Sequence, residues 1–293
     1  MLMGVRQVFG LGLIISDPIS TADLVMVART AEKAGFTTLT IGGKETILDP
    51  MTILAALAAK TEQIGLVAAV NIDTALPYDF ARRLASLDHL SSGRAGWKPY
   101  STADEPEEAR IAEFVYAVSH LLDSWDDDAA LYDKESGIYV DITKVHRLDH
   151  VGQFYRVAGP LDIPRAPQGR PVLVREVLAA DLAEGAWPTA DVIEIVQIPG
   201  QSVTKPLAPR AEGNTVFLSI VAATDDLASV RALLDEDNVD GVTVRAAPRM
   251  DAIACAARDL GLRPKPRGGS LRDTLGLSRP ESLFTLRGNG VSA

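Results

Sequence analysis

Apolar runs and amphipathic stretches alternate along the chain. Runs such as "LGLIIS" from Leu11 and "IGLVAAVN" from Ile64 are almost wholly apolar, which is typical of parallel strands buried on both faces. Ser20 and Asp49 stand where helix N-caps are expected, and Gly35 stands where a C-terminal cap is expected. The pattern therefore predicts repeated strand–helix units.

The same rhythm continues through most of the sequence. Strands are predicted to begin near residues 11, 37, 64, 95, 172, 192, 216 and 239, with helices near 20–35, 50–60, 77–90 and 107–124. Eight strands with intervening helices indicate an α/β protein with a (β/α)8 TIM barrel. A doubly wound open sheet is the alternative, because periodicity alone does not show closure. The residues expected in or beside the interior strands are Leu13, Ile15, Leu39, Ile41, Val67, Ala69, Val172, Val174, Phe217 and Val242.

Two segments interrupt the rhythm, although residues 1–293 are expected to form a single barrel domain. Residues 123–170 form a long irregular excursion, and loops of that length are usually functional or disordered. The tail from about 263 to 293 is basic and rich in Gly and Pro. We expect this tail to lie over the surface of the barrel.

Composition narrows the classes of function. Of the 293 residues, 47% are hydrophobic, which is enough for one large core. The net charge of −10 argues against nucleic acid and anionic membranes as partners. The single cysteine, Cys255, fits a reducing cytoplasm, and its place on the apolar side of "DAIACAARDL" predicts a buried thiol. No apolar stretch approaches the roughly 20 residues that span a bilayer.

The motif "HRLDH" places two histidines near a carboxylate. His146, Asp149 and His150 could hold a metal ion, or they could belong to a hydrogen-bond network within a loop. We favour the network, because a structural metal site usually has a fourth ligand. No metal is therefore predicted.

The segment after the strand at residue 172 has the position of a phosphate site. A turn from a strand into a helix N-terminus commonly holds a phosphate, and a helix is predicted at residues 179–186. The turn reads Arg175, Glu176, Val177 and Leu178, with no glycine and with an acid at its tip. At roughly 5 Å and an effective dielectric of 20, Glu176 would repel a phosphate charge by about 3 kcal/mol. Val177 would also hinder close approach of the backbone.

Three longer motifs resemble a known family. They are "LDPMTILAALAAKTEQIGLVAAV", "PYDFARRLASLDHLSSGRAGW" and "HRLDHVGQFYRVAGPLDIPRAPQGRPVLV". These motifs are similar to those of the bacterial luciferase-like flavin-dependent monooxygenases, in the nitrilotriacetate and dibenzothiophene sulfone monooxygenase branch. The resemblance implies a luciferase-like (β/α)8 barrel with shortened insertions. It also implies reduced FMN from a partner flavin reductase, oxygenation of a small organic substrate, and a homodimer.

The chain departs from that family at the predicted flavin site. Members of the branch are typically longer, and they have Ala-Asp where this chain has Gly42 and Gly43. Their two histidines after the third strand are missing here, and Trp97 is followed by Lys98 instead of Asn. The family's glycine- and serine-containing phosphate turn is replaced by the sequence from Arg175 described above.

The resemblance assigns candidate site residues by position. The positions that match the family's flavin site are Gly43, Asn71, Asp73, Trp97, Lys98, Arg175, Glu176 and Val177. The candidates for catalysis are Asp73, Lys98, Tyr100, His146 and His150. The first functional hypothesis is an FMN-dependent monooxygenase with an altered pocket. The second is a cofactor-free relative, which acts as a binding or partner subunit or catalyses other chemistry at the C-terminal face of the barrel.

Overall fold

Eight parallel strands form a closed barrel. The computed structural model describes residues 8–13, 15, 19–103, 108–178, 189–196, 217–223, 240–264 and 268–288. Its strands are β1 (Val8–Leu13), β2 (Thr38–Ile41), β3 (Gly65–Asn71), β4 (Ala95–Tyr100), β5 (His150–Val151), β6 (Arg156–Val157), β7 (Val172–Leu178), β8 (Val192–Val196), β9 (Phe217–Ala223) and β10 (Gly241–Ala246). Strands β5 and β6 form a separate antiparallel hairpin.

Pairing between the first and last strands closes the barrel. The order around it is β1-β10-β9-β8-β7-β4-β3-β2, and Val8 to Leu13 pair in parallel with Gly241 to Ala246. The predicted (β/α)8 barrel is confirmed, and the open-sheet alternative is wrong. The fourth strand is longer than predicted, because it runs through Tyr100 and so includes Lys98.

Helices surround the barrel and close its lower end. They are α1 (Thr21–Ala34), α2 (Pro50–Ala58), α3 (Pro77–Leu90), α4 (Glu108–Leu122), α5 (Met250–Asp259), α6 (Leu271–Leu275) and α7 (Leu283–Gly288). The predicted caps are present: the Ser20 hydroxyl accepts from the Asp23 N–H at 3.1 Å, and Asp49 accepts from the Thr52 N–H at 2.8 Å. Gly35 ends α1 at a φ of 98°, which favours glycine. None of the helices in the described part of the chain is long and apolar enough to cross a membrane.

The apolar strand residues divide between two cores. Leu13, Leu39, Ile41 and Val242 belong to the core shared by the barrel and its helices, as does Ile15 just after β1. A second core fills the lower barrel, at the N-terminal ends of the strands, and is made of Val67, Val172, Val174, Val192, Leu271, Leu275 and Leu277. Alternation of side chains along each strand produces this division. Phe217 lies in β9 as predicted, but its side chain is outside the described residues.

Helix α6 and the residues after it plug the bottom of the barrel. Leu271, Leu275 and Leu277 are all buried, so the prediction of a surface tail is wrong for this part of the chain. A Cβ at Gly65 would lie 2.6 Å from Leu271 Cδ1, and the missing side chain therefore makes room for the plug. Arg272 fixes the helix by donating to both carboxylate oxygens of Asp191, at 3.0 and 2.7 Å.

Buried ion pairs hold the excursion after α4. The Asp123 side chain is fully buried, and it accepts from Arg165 Nε at 2.9 Å and from Arg170. The backbone N–H of Leu283 donates to the same carboxylate at 3.0 Å, which ties α7 to this segment. Cys255 is exposed, so the prediction of a buried thiol is wrong.

Removal of the plug's largest contact should destabilise the fold. We expect Leu271→Ala to lower the free energy of unfolding by about 2–5 kcal/mol, because it opens a cavity among the buried valines. Leu90 is 67% exposed, and Leu90→Ala should change stability by no more than about 0.5 kcal/mol. Urea denaturation measures the free energy of unfolding of both variants. Equal losses in the two variants would contradict the role of the plug.

Candidate functional site

A cavity opens at the C-terminal ends of the strands. Its volume is about 350 Å³, which is within the range of small-molecule sites. The barrel places inward-facing residues of β4, β7, β8 and β10 at its floor and walls. The lining residues are Gly12, Leu13, Thr40, Gly42, Gly43, Lys44, Glu45, Ala69, Lys98, Tyr100, Ser101, Glu176, Glu194, Thr243 and Arg245. We call this cavity the barrel mouth.

A cluster of charged side chains occupies the floor of the barrel mouth. Lys98 Nζ lies 2.6 Å from Glu176 Oε2 and 2.8 Å from Glu194 Oε2. Arg245 also contacts Glu176 Oε2, at 2.5 Å, and the Thr243 hydroxyl donates to Glu194 Oε1 at 2.8 Å. The Lys98 side chain is only 12% exposed and that of Glu194 only 6%. The floor is therefore a compact ionic network inside the barrel.

Mutual attraction keeps Lys98 and Glu176 ionised in spite of burial. Burial alone would lower the pKa of Lys98, but the carboxylates of Glu194 and Glu176 outweigh it and raise that pKa above 10.5. Burial would raise the pKa of Glu176, but Lys98 and Arg245 outweigh it and hold that pKa below 4.5. Two cations thus face two carboxylates, and the floor carries no net charge.

Glycine forms one wall of the barrel mouth. Gly42 and Gly43 have φ of 123° and 126°, a backbone region that favours glycine. A Cβ at Gly42 would lie 2.8 Å from the Cβ of Ala69, whereas a Cβ at Gly43 would meet nothing within 4 Å. Tyr100 stands beside this wall, and burial is the main cause that raises its pKa above 10.0. The glycines therefore leave a smooth surface above the charged floor.

Asp73 and Asn71 stabilise the loop after β4 and do not line the barrel mouth. Asp73 accepts from the Thr102 N–H at 2.7 Å and from the Ser101 hydroxyl at 2.9 Å. Burial pushes the pKa of Asp73 up, but these hydrogen bonds outweigh it and hold the pKa below 3.8. Asn71 Oδ1 accepts from the Asp73 N–H at 3.0 Å. Asn71 also lines a neighbouring cavity of about 320 Å³, between the N-termini of α2 and α3.

Three predicted flavin contacts point away from the barrel mouth. Trp97 is 1% exposed and packs on Phe80 and Phe114, with ring centroids 5.4 and 6.3 Å away, so it lies between β4 and the helices. Arg175 is buried and pairs with Glu108 of α4 at 2.8 Å. Val177 packs against the outer core. Their placement as flavin contacts is therefore wrong, because each faces outward from its strand.

The predicted phosphate turn is part of a strand. β7 continues to Leu178 and pairs with β8 along residues 174–178, so the turn does not begin at Arg175. Glu176 points into the barrel, where Lys98 and Arg245 neutralise it. The predicted repulsion between Glu176 and a phosphate at the turn is therefore wrong in its geometry. The helix predicted at residues 179–186 lies outside the described residues.

The "HRLDH" residues have separate partners. His146 Nε2 lies 2.9 Å from Asp126, and His150 Nε2 lies 2.9 Å from Glu113 of α4. Asp149 pairs with the neighbouring arginine at 2.8 Å. The three side chains thus have separate partners and do not form one network within the loop. Within the described ranges, no group of three His, Cys, Asp or Glu side chains could hold a metal ion. Neither histidine lines the barrel mouth.

Sequence reasoning missed two charged members of the floor. Glu194 lies within the apolar run "VIEIV" of β8, and Arg245 lies two residues after Thr243 in β10. An acid within a buried strand requires a buried partner, and residues spaced by two share one face of a strand. Those two signals, taken with Lys98, could have identified the cluster.

FMN fits this site only in part. The barrel mouth has room for a ring against its glycine wall, but the predicted phosphate position on β7 offers no free cation. Arg175 forms an ion pair with Glu108, and Lys98 and Arg245 form ion pairs with carboxylates of the floor. The backbone of β7 is hydrogen-bonded to β8. The donors therefore do not match a dianion at the predicted position.

Comparison with known proteins gives a consistent picture. Residues 4–195 match the family described as "Luciferase-like monooxygenase". The chain is 35% identical over 269 residues to one subunit of the pristinamycin IIA synthase of Streptomyces pristinaespiralis, and the match covers 90% of this chain and 91% of that protein. A second subunit of the same synthase is 34% identical over 142 residues, which are 43% of this chain and 29% of that protein.

Other relatives share part of the sequence or the fold. Nitrilotriacetate monooxygenase component A of Aminobacter aminovorans is 40% identical over 166 residues, which are 52% of this chain and 37% of that protein. The predicted resemblance to this branch is thereby confirmed, although the match spans well under half of the relative. The crystal structure of DmoA from Hyphomicrobium sulfonivorans superposes with a TM-score of 0.70 at 17% identity, over 92% of each chain, and shows the same fold.

The coupling between Lys98 and Glu194 can be measured with a double-mutant cycle. We expect Lys98→Met to lower the free energy of unfolding by about 3–5 kcal/mol, because it leaves Glu194 buried without its cation. Adding Glu194→Leu should recover about 2 kcal/mol of that loss. The exposed pair Arg82–Asp162 is the control, and its cycle should show no measurable coupling. Urea denaturation measures the free energy of unfolding of each variant. If the losses caused by the two single substitutions simply add in the double variant, the two side chains are not coupled and the network is contradicted.

The lowered pKa of Glu176 predicts a dependence of stability on pH. Its carboxylate stabilises the fold fully above the unfolded-state pKa, and this contribution is lost as the pH falls through the lower folded-state pKa. We therefore expect the wild-type free energy of unfolding to fall more steeply between about pH 5 and pH 3 than that of Glu176→Gln. Urea denaturation across this range tests it. Parallel pH profiles of the two proteins would show that Lys98 and Arg245 do not lower the pKa of Glu176 in the folded state.

Proposed function

Because the chain belongs to the luciferase-like monooxygenase family, we propose that it is a component of a flavin-dependent monooxygenase that oxygenates a small organic substrate. Family members act on small organic substrates with reduced FMN, and they are two-component systems that need a flavin reductase. Besides the reductase, the proposed enzyme contains a second luciferase-like chain that works beside this one.

The observation that carries this proposal is the extent of the similarity to a protein named as part of a larger enzyme. The chain matches one pristinamycin IIA synthase component over nearly the whole length of both, and it matches only a fraction of the other. Two related chains of different length thus belong to that synthase. The similarity to the shorter of them supports a two-chain enzyme here.

The barrel mouth supports a division of labour between the two chains. The predicted phosphate position on β7 offers no free cation, and Lys98 and Arg245 of the floor are already paired. The proposal therefore assigns flavin binding to the second chain. In this chain, Lys98 and Glu176 remain charged and are held by their ion pair, so they can orient a polar molecule without a change in protonation.

A second candidate function is a monooxygenase that binds FMN in its own barrel mouth. The glycine wall and the cavity of about 350 Å³ favour it, because a flat ring could lie against Gly42 and Gly43. Lys98 and Tyr100 would then contact the ring. The phosphate would have to bind beyond the described residues of β7.

Self-association through α2 and α3 stays a prediction. Ala55 and Ala56 of α2 are exposed, and such small side chains permit close packing of helices. The larger Leu54, Leu57 and Leu84 are buried within the chain and do not contribute to an outer surface. This face could meet a second copy or the second luciferase-like chain. A cytoplasmic location is also proposed, on the basis of the single free cysteine.

The proposal predicts where FMN binds. The protein is purified with an affinity tag from its native cells, and a second luciferase-like chain, identified by mass spectrometry, should accompany it in equal amount. Flavin fluorescence then measures FMN affinity for this chain alone, for the second chain and for the pair. We expect the pair to bind FMN at least about tenfold more tightly than this chain alone. If this chain alone matches the pair, the second candidate function is correct.

A further inference from the structure

A second cavity opens beside the barrel mouth, between the N-termini of α2 and α3. Its volume is about 320 Å³, which is within the range of small-molecule sites. We call it the helix-end cavity, and we propose that it binds an organic ammonium ion with an apolar body. This inference goes beyond the proposed function, because it concerns neither the flavin nor the second chain.

The helix-end cavity is separate from the barrel mouth. Gly43, Ala69 and Tyr100 line both cavities, so these residues form the partition between them. The charged floor residues Lys98 and Glu176 line the barrel mouth and do not line the helix-end cavity. A ligand of the helix-end cavity is therefore recognised by a different set of side chains.

Apolar side chains form much of the interior of the helix-end cavity. Met51 of α2, Val70 of β3 and Phe80 of α3 line it, and each is less than a tenth exposed. Leu76 also lines the cavity but is 69% exposed, so it stands at the rim. The apolar body of a ligand would remove its own surface and that of these side chains from water, which favours binding.

A buried hydroxyl in the helix-end cavity lacks a partner. Thr46 lines the cavity, and its Oγ1 is buried without a hydrogen-bond partner in the described part of the chain. Buried polar atoms are nearly always hydrogen-bonded, so this hydroxyl is available to a ligand. Its oxygen can accept a hydrogen bond from an N–H, and an ammonium group has three such donors.

The charged side chains of the helix-end cavity leave one negative charge in excess. Asp49, Asp79 and Arg83 line it, and all three are exposed to solvent. Arg83 lies 3.6 Å from Asp49 Oδ1 and 3.1 Å from Asp79 Oδ2. Burial would raise the pKa of Asp49, but hydrogen bonds from Thr52 and the charge of Arg83 outweigh it and hold that pKa below 3.8. This acid is therefore charged at neutral pH.

The two acids keep an acceptor for a ligand. Within the described residues, the contacts of Asp49 fall on Oδ1 and the contact of Asp79 falls on Oδ2. The second oxygen of each carboxylate can accept from an ammonium group without displacement of Arg83. A carboxylate ligand would instead meet an excess of negative charge. The charge balance therefore favours a cation over a neutral molecule, and a neutral molecule over an anion.

Three ligands with one skeleton test this order. Phenethylamine, 2-phenylethanol and phenylacetate are positive, neutral and negative at neutral pH. Of the five methionines, Met51 lines the helix-end cavity, and the described lining of the barrel mouth contains none. NMR of the purified chain with ¹³C-labelled methionine methyl groups therefore reports binding at this cavity. We expect phenethylamine to shift the Met51 signal with a Kd on the order of 1 mM or below, and phenylacetate to bind at least about tenfold more weakly.

Matched variants test the contact with the carboxylate. Asp79 lies in the first turn of α3 and pairs with Arg83. Asp251 lies in the first turn of α5 and pairs with Arg249 at 2.7 Å, so Asp251→Asn is the matched control. Asp79→Asn should weaken phenethylamine binding about fivefold and leave 2-phenylethanol binding unchanged, because only the amine loses an ionic partner. Asp251→Asn should change neither, and Thr46→Val should weaken phenethylamine binding about threefold.

The outcomes that overturn the proposal are distinct from those that test the proposed function. Binding of phenylacetate as tight as that of phenethylamine, or no shift of the Met51 signal with phenethylamine, would overturn it. Equal losses of amine and alcohol binding in Asp79→Asn would overturn the ionic contact. All these measurements use the purified chain alone. The absence of a second luciferase-like chain would contradict the proposed function and leave them unchanged.

Discussion

The ammonium of Lys98, held between two carboxylates inside the barrel, is the interaction on which the rest of the site depends. It lies 2.6 Å from Glu176 and 2.8 Å from Glu194, which would otherwise face each other across a poorly solvated space. Arg245 completes the balance. Because each of the four groups is paired with a group of opposite charge, the charges of the floor balance. A neutral floor in turn limits which molecules the barrel mouth can attract.

The barrel makes this cluster possible by separating two environments along its axis. In the lower half, Val67 and Val174 meet the plug of Leu271, and this core excludes water. In the upper half, Glu176 and Glu194 stand two residues after the buried valines of β7 and β8, and they point into the barrel mouth. Alternation along each strand sends Trp97 and Arg175 outward while their neighbours Lys98 and Glu176 point inward. A single shift in register would therefore exchange the site with the outer core.

The sequence predicted the elements whose signals are local. The caps at Ser20 and Asp49 and the apolar runs of the strands depend on neighbouring residues. Their repetition predicted a barrel, but closure itself depends on the pairing of β1 with β10, which no local signal shows. The ends of β4 and β7 were missed, because polar residues such as Lys98 and Glu176 resemble loop residues until partners across the barrel are known. The plug at Leu271 was missed for the same reason, since its contacts are distant in sequence.

Titration of the Lys98 side chain tests the central claim most directly. With lysine side chains labelled with ¹³C at the ε position, NMR follows the charge of Lys98 as the pH rises. We expect Lys98 to stay charged above pH 10.5, because the two carboxylates outweigh the cost of burial. A pKa at or below 10.5 would contradict the account, since burial would then outweigh the carboxylates.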